Sequence, residues 1–164
     1  MAEVPSNVPM KAPMKVPGCE LCENDGGILI VRTDKLRVIR AHEPDHPAFY
    51  RVIWNEHVAE WTDLAPPDRS HLMQAVAKVE TVMRQLLAPT KVNLASLGNM
   101  VPHLHWHVIA RFEGDARWPA PVWAARREAS NGEEAPEGAS FLKVPLTTVD
   151  EHIAQVLSAA HFLA

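Results

Sequence analysis

Residues 101–109 read Val-Pro-His-Leu-His-Trp-His-Val-Ile. Apolar residues alternate with the three histidines, a period of two that predicts a β-strand, here over residues 103–112. Side chains two positions apart project from the same face of a strand, so we expect His103, His105 and His107 in one row. The opposite face is expected to carry the apolar residues between and after them, Leu104, Trp106 and Val108.

Three imidazole groups in a row favour two kinds of chemistry. Residues two apart on a strand are close enough to share a metal ion, although His103 and His107 would lie about 13 Å apart at their α-carbons. The other chemistry is nucleophilic and acid–base catalysis, because an imidazole nitrogen attacks phosphorus and neighbouring imidazoles can move protons near neutral pH. A purely structural role is disfavoured, because burying three polar rings costs free energy.

The remaining pattern predicts an α+β fold with an antiparallel sheet of about five strands, one long helix and a C-terminal helix. The expected elements are strands at 28–32, 36–40, 49–54, 91–97 and 141–145, a helix at 67–88 and a helix at 148–160. Thr148 is the expected N-cap of the last helix, with Glu151 completing a capping box.

The chain of 164 residues suits one domain over residues 19–164, with a loop-rich region at 113–140. Residues 1–18 are expected to form a disordered, proline-rich tail, because a proline recurs at every fourth position from Pro5 to Pro17.

Charge and composition exclude several classes of protein. The formal net charge is -4, from 16 basic and 20 acidic residues, so we expect no binding to a nucleic acid polymer, which usually requires a basic excess. No apolar run approaches the roughly 20 residues of a membrane span, and no secretory signal is evident; we therefore expect no membrane partner and a cytoplasmic location. The two cysteines, Cys19 and Cys22, indicate a metal half-site or a redox pair rather than a structural disulfide.

The pattern His-φ-His-φ-His-φ-φ at 103–109 resembles the signature of the histidine triad (HIT) family of nucleotide hydrolases and transferases. Upstream features follow the same order as in the family: the strand at 49–54, Asn-Glu-His at 55–57, the helix from Pro67, Asn93 and the Gly98-Asn99 turn. The resemblance covers about residues 19–112. It implies a HIT-like fold, a nucleotide as small-molecule substrate and a homodimer.

The resemblance also implies a role for each matching residue. His105 matches the nucleophile that becomes transiently nucleotidylated, His107 the group that contacts the phosphate near the scissile bond, and His103 the position that orients neighbouring groups. Matching substrate-binding positions are Asn93, Gly98 and Asn99, and Asp45 is the nearest substitute for the usual ribose-binding side chain. Two departures are Phe49, where the family often has histidine, and Met100, where it has a hydroxyl.

Some bacterial members of the family complete Cys-x-x-Cys with two histidines, here His57 and His103. The resemblance therefore implies one structural zinc held by Cys19, Cys22, His57 and His103, because four protein ligands leave no open position. Two reduced thiols without a metal are the alternative. No catalytic metal is expected.

The predicted function is hydrolysis or transfer at the α-phosphate of a dinucleoside polyphosphate or a nucleoside phosphoramidate, through a nucleotidyl-histidine. One rival is a nucleotide-binding or interaction module with little or no turnover, which the Phe49 and Met100 departures motivate. Another is a metal-dependent hydrolase that uses the histidine row as ligands. Arg51 is interpreted as a solvated side chain, and the tryptophans at 118 and 123 as packing residues rather than base-stacking ones.

Overall fold

The computed structural model describes residues 14–127, 138–159 and 162. Its centre is a five-stranded antiparallel sheet in the order β1-β2-β3-β5-β4. The strands are β1 Ile28–Arg32, β2 Leu36–Arg40, β3 Phe49–Trp54, β4 Lys91–Ser96 and β5 His105–Arg111. The sheet and its helices confirm the predicted α+β fold.

Within the described ranges, three α-helices accompany the sheet: α1 Glu20–Glu23, α2 Pro66–Leu87 and α3 Leu146–Ser158. Two short 3-10 turns lie at Trp61–Asp63 and Gly138–Phe141. Helix α2 begins with proline at its first position, where the missing N–H costs nothing, and it ends at Leu87; the next residue, Ala88, is left-handed with φ 45°. None of the helices within the described residues is long and apolar enough to cross a membrane.

The two faces of the sheet carry different cores. One face packs against α2 and α3 through the larger cluster, which includes Tyr50, Val52 and Val108. The other face carries a smaller cluster with Phe49, Ile53 and Ile109, covered in part by Leu21 of α1. Because β-strand side chains alternate between faces, His105 and His107 lie on the second face, beside the smaller cluster.

The C-terminal predictions are partly wrong. Residues 141–145 form no strand; Phe141 ends a 3-10 turn, and its ring stacks on that of Phe112 with centroids 5.6 Å apart. Helix α3 begins at Leu146, directly after Pro145, and shows no side-chain cap. The Thr148 N–H donates to the Pro145 carbonyl at 3.0 Å, so Thr148 lies inside the first turn and the predicted capping box is absent.

Other boundaries move by one or two residues. Helix α2 starts at Pro66 rather than at 67, and β4 ends at Ser96 rather than at 97. Residues 1–13 of the predicted tail and residues 128–137 of the predicted loop lie outside the described residues. Residues 14–18 contact the domain: the Met14 carbonyl accepts the His57 N–H, and the Gly18 N–H donates to the Glu23 carboxylate.

Candidate functional site

The central strands β3 and β5 bring the candidate catalytic groups together. Their antiparallel register places Arg51 opposite His107 and Ile53 opposite His105. The His105 and His107 rings lie 4.9 Å apart between centroids, and both residues are buried at 7% and 8% exposure. The predicted pair of neighbouring imidazoles therefore exists on one face of the sheet.

His103 does not belong to this row, contrary to the sequence prediction. Strand β5 begins only at His105, and His103 precedes it in irregular backbone, where the alternation of a strand no longer applies. Its side chain is fully buried, and its Nε2–H donates to the Trp54 carbonyl at 2.7 Å. Its other nitrogen, Nδ1, points at the two cysteines.

A backbone contact fixes the tautomer of His105. Its Nδ1–H donates to the His103 carbonyl at 2.6 Å. The lone pair consequently resides on Nε2, the nitrogen that is available to attack. Burial lowers the pKa of His105, which keeps the ring neutral and nucleophilic near pH 7.

His107 has an unusual environment for an imidazole. Burial, with smaller contributions from His105 and Arg51, lowers its pKa to about 3. The Phe49 ring packs edge-on against the His107 ring with centroids 5.1 Å apart. His107 Nε2 is buried and has no hydrogen-bond partner within the described ranges of the chain. A buried polar atom of this kind calls for an explanation, and a catalytic role is one of the common explanations.

Both rings line a cleft of about 660 Å³, here called the triad cleft. Gly98, Asn99 and Met100 line it as well, and Met100 is 93% exposed. Two predicted substrate-binding residues, Gly98 and Asn99, therefore lie beside the predicted nucleophile.

The four predicted metal ligands converge on one point. The donor atoms of Cys19, Cys22, His57 and His103 all lie within 4.8 Å of one another. Cys22 Sγ is 3.4 Å from the Nδ1 atoms of both His57 and His103, and Cys19 Sγ is 3.5 Å from His103 Nδ1. A tetrahedral zinc ion, with Zn–S of about 2.3 Å and Zn–N of about 2.0 Å, separates sulfur from nitrogen by about 3.5 Å.

The surroundings of this cluster also fit a metal. The His103 bond to the Trp54 carbonyl occupies Nε2, which leaves Nδ1 as the unprotonated ligand, as outer hydrogen bonds do in metal sites. The cluster includes neither His105 nor His107. Among the described residues, the group able to hold an ion is thus separate from the predicted nucleophile.

Comparison with known proteins now identifies the family. The profile of the HIT domain matches residues 24–114. The chain belongs to the histidine triad family. No curated protein sequence matches this histidine triad protein significantly.

Solved structures of histidine triad proteins resemble it over most of its length. One from Bradyrhizobium japonicum is 25% identical with a TM-score of 0.65, covering 87% of this chain and 98% of that one. One from Sinorhizobium meliloti is 27% identical with a TM-score of 0.61, covering 83% and 93%. A Zn-bound member from Mycobacterium smegmatis is 21% identical with a TM-score of 0.55, covering 85% and 94%.

Two predicted substrate-binding residues of this histidine triad protein lie away from the triad cleft. The Asn93 Oδ1 accepts from Arg111 Nη1 at 2.9 Å. Asp45 forms ion pairs with both Arg117 and Arg126. Both side chains therefore have partners within the protein.

Sequence reasoning did not identify a second cleft beside the triad. We call it the arginine cleft, because Arg51, Arg117 and Arg126 line it. Its volume is about 450 Å³, and Arg51, Leu97, His107 and Trp123 line both clefts. The available signal was the alternation along β3, which places Arg51 on the same face as Phe49 and opposite His107.

The segment after β5 is fixed by a buried ion pair. Arg111 Nε donates to Asp115 Oδ2 at 2.7 Å, and both side chains are 2% exposed. Arg111 also donates to the Ala120 carbonyl, and Trp118 packs over its guanidinium with the centroid 5.9 Å away. Trp118 is thus a packing residue, whereas Trp123 is 68% exposed at the clefts.

Proposed function

We propose that this protein hydrolyses or transfers nucleotides at the α-phosphate of a dinucleoside polyphosphate or a nucleoside phosphoramidate, with His105 as nucleophile. The observation that carries the proposal is the His105 Nδ1–H bond to the His103 carbonyl. It leaves Nε2 with its lone pair in a residue that lines an open cleft. Membership of the histidine triad family supports the nucleotide substrate class.

The reaction consists of two in-line displacements. In the first, His105 Nε2 forms a bond to the α-phosphorus while the bond from phosphorus to the leaving group breaks; a polyphosphate oxygen leaves as an anion, whereas a nitrogen leaves as a neutral amine after it takes a proton from solvent. In the second, a water oxygen attacks the same phosphorus, Nε2 departs, and a mononucleotide is released. The net reaction consumes one water. Covalent catalysis contributes by replacing one difficult step with two easier ones.

The neighbouring groups stabilise charge on the phosphoryl oxygens. The unpartnered Nε2 of His107 lies beside His105, and we assign it a hydrogen bond to a phosphoryl oxygen. We assign the backbone at Gly98 and Asn99, which line the same cleft, a similar role. Donors that are already oriented lower the barrier, because they need no reorganisation when charge develops.

A trapping experiment tests this assignment. The protein is mixed briefly with labelled diadenosine tetraphosphate or adenosine phosphoramidate and denatured in alkali, which preserves a phosphorus–nitrogen bond. Mass spectrometry should find one adenylyl group on His105, and none in a His105→Ala variant. A modified residue other than His105 would refute the proposal. Tight mononucleotide binding without turnover would instead favour a binding module.

We further propose that Cys19, Cys22, His57 and His103 hold one structural zinc ion. The converging donor atoms and the separations near 3.5 Å support it, as does the zinc in the Mycobacterium smegmatis relative. The ion would attach the segment around Cys19 to the backbone that precedes β5. Metal analysis of protein purified without added zinc should give about one ion per chain, and a ratio near zero would contradict this.

We also propose that the protein is a homodimer. Strand β4 is an edge of the sheet, and Leu94 on it is 40% exposed; unpaired edge strands readily pair with a second chain. Light scattering after size exclusion should give twice the chain mass of 18.2 kDa. A mass of one chain at micromolar concentration would contradict the dimer.

A further inference from the structure

Among the described residues, Arg51 has no anionic partner. Within residues 14–127, 138–159 and 162 its Nε is buried with no hydrogen-bond partner. Its guanidinium carbon lies 5.5 Å from the centroid of the Phe49 ring. This contact holds the guanidinium on the face of the sheet that carries His105 and His107. An unpaired, half-buried guanidinium is costly unless a ligand supplies the acceptor.

Unsatisfied nitrogens concentrate at the arginine cleft. Among the described residues, six side-chain nitrogens are buried without a partner. Three of them, His46 Nε2, Arg51 Nε and His107 Nε2, belong to residues that line this one cleft. This concentration favours one ligand-binding site over scattered packing defects.

The charges around the cleft favour an anion. Arg51, Arg117 and Arg126 face two carboxylates, Glu43 and Asp45, which leaves one excess positive charge in a chain whose net charge is -4. Asp45 bridges Arg117 and Arg126. It therefore orients two guanidinium groups toward the cleft, where their remaining N–H groups can donate.

The position of the cleft indicates which anion it would take. His107 and Arg51 line both the triad cleft and the arginine cleft. One ligand can therefore occupy both clefts beside His105. Guanidinium groups match the geometry of phosphate oxygens and bind them with charge-assisted hydrogen bonds.

We propose that the arginine cleft binds a second phosphate group of the substrate, next to the phosphate that His105 attacks. The inference rests on the proposed function and narrows it: the substrate carries at least two linked phosphates, as in a phosphoric anhydride. Arg51 contacts the second phosphate, while Asp45 positions Arg117 and Arg126 rather than binding a ribose.

Direct binding tests the cleft without any turnover. Inorganic pyrophosphate is titrated calorimetrically at low ionic strength into the wild type, Arg51→Met, Arg117→Met and the control Arg84→Gln, an exposed arginine on α2. We expect each cleft variant to bind at least about tenfold more weakly, the loss of one charge-assisted hydrogen bond, and the control to bind like the wild type. Unchanged unfolding midpoints show that the variants fold.

Kinetics test the link to the substrate. The kcat/KM of diadenosine triphosphate should fall in Arg51→Met at least about ten times more than that of adenosine phosphoramidate, which has one phosphate. Equal losses for both compounds, or wild-type pyrophosphate affinity in both cleft variants, would overturn the inference. Pyrophosphate binding through Arg51 without turnover of any nucleotide would refute the proposed function and leave the anion site standing.

Discussion

The histidines at the two ends of residues 103–107 differ in whether their ring nitrogens have hydrogen-bond partners. At the first end, both ring nitrogens of His103 have partners, the Trp54 carbonyl and the two thiols. At the other end, His105 lines the triad cleft with its lone pair on Nε2, and His107 Nε2 is buried without a hydrogen-bond partner among the described residues. We call His103 with its cysteine partners the closed end of the segment. We call His105 and His107, which line the triad cleft, the open end.

This difference indicates that buried polar groups without hydrogen-bond partners can mark a functional site. A polar group with a structural role has its partners within the fold, since an unsatisfied buried group is costly. Of the six buried nitrogens that lack a partner among the described residues, three belong to residues of the arginine cleft, where we propose that a ligand supplies the partner. Arg111 and Arg51 show the same contrast: Arg111 donates to Asp115, Asn93 and the Ala120 carbonyl, whereas Arg51 forms no ion pair within the part of the chain that the structure describes.

The largest expected effect is on catalysis at the open end. A His105→Gln variant keeps an amide N–H for the His103 carbonyl but has no nucleophilic nitrogen. We expect kcat/KM to fall by about 10⁴-fold, equivalent to about 5.5 kcal/mol of barrier. Steady-state kinetics measure the loss, and the metal content should stay at the wild-type value. Activity within tenfold of the wild type would remove the distinction between the two ends.

The interactions of Arg111 should contribute more to the free energy of unfolding than those of Arg51. Asp115→Ala leaves the buried Arg111 charge without its carboxylate, and we expect the free energy of unfolding to fall by about 3–5 kcal/mol. Arg51→Met loses no ion pair and should change it by less than about 1 kcal/mol. Urea unfolding of both variants measures the difference, and similar losses in the two would contradict the contrast.

Regular patterns made most of the fold predictable. The aromatic and β-branched residues of 49–54 predicted a strand, and the helical spacing of Leu72, Val76 and Val79 predicted a helix, so strand β3 and helix α2 could be placed to within a residue. The start of α3 was misplaced because Thr148 and Glu151 imitate a cap, while Pro145 determined where the helix begins.

The candidate site was predictable only where neighbours in sequence are neighbours in space. The placement of His105 and His107 followed from their spacing, whereas His103 was misplaced because nothing local shows that the strand begins two residues later. The arginine cleft joins residues separated by as many as 83 positions, from Glu43 to Arg126. No single-sequence pattern reports such contacts, so Arg51 was interpreted as a solvated side chain.

Loss of a ligand should weaken the closed end. Cys22→Ser removes a thiolate that lies 3.4 Å from both histidines, and we expect about 2–4 kcal/mol less stability in the presence of zinc. Urea unfolding measures the loss. Chelated wild type is the matched control, because it should unfold at the same midpoint as the variant. A variant as stable as zinc-loaded wild type would show that the cluster is not a metal site.

The smallest expected effect is a pH dependence from the open end. Burial holds the pKa of His107 at about 3, against about 6.5 in the unfolded chain. As the pH falls below 6.5, the unfolded chain binds a proton that the folded protein does not, so stability decreases, by about 2 kcal/mol between pH 7 and pH 5. His46, which is buried, and His71, which is half-buried, also have pKa values that burial lowers, and they add losses of the same sign.

A His107→Gln variant isolates the contribution of His107, because the other histidines contribute equally to both proteins. The free energy of unfolding, measured in urea at pH 7 and at pH 5, should fall less in the variant by about 2 kcal/mol. Equal decreases in the two proteins would mean that His107 is protonated in the fold. A charged His107 ring would need a hydrogen-bond acceptor within the fold. His107 would then no longer differ from His103 in having an unpartnered nitrogen.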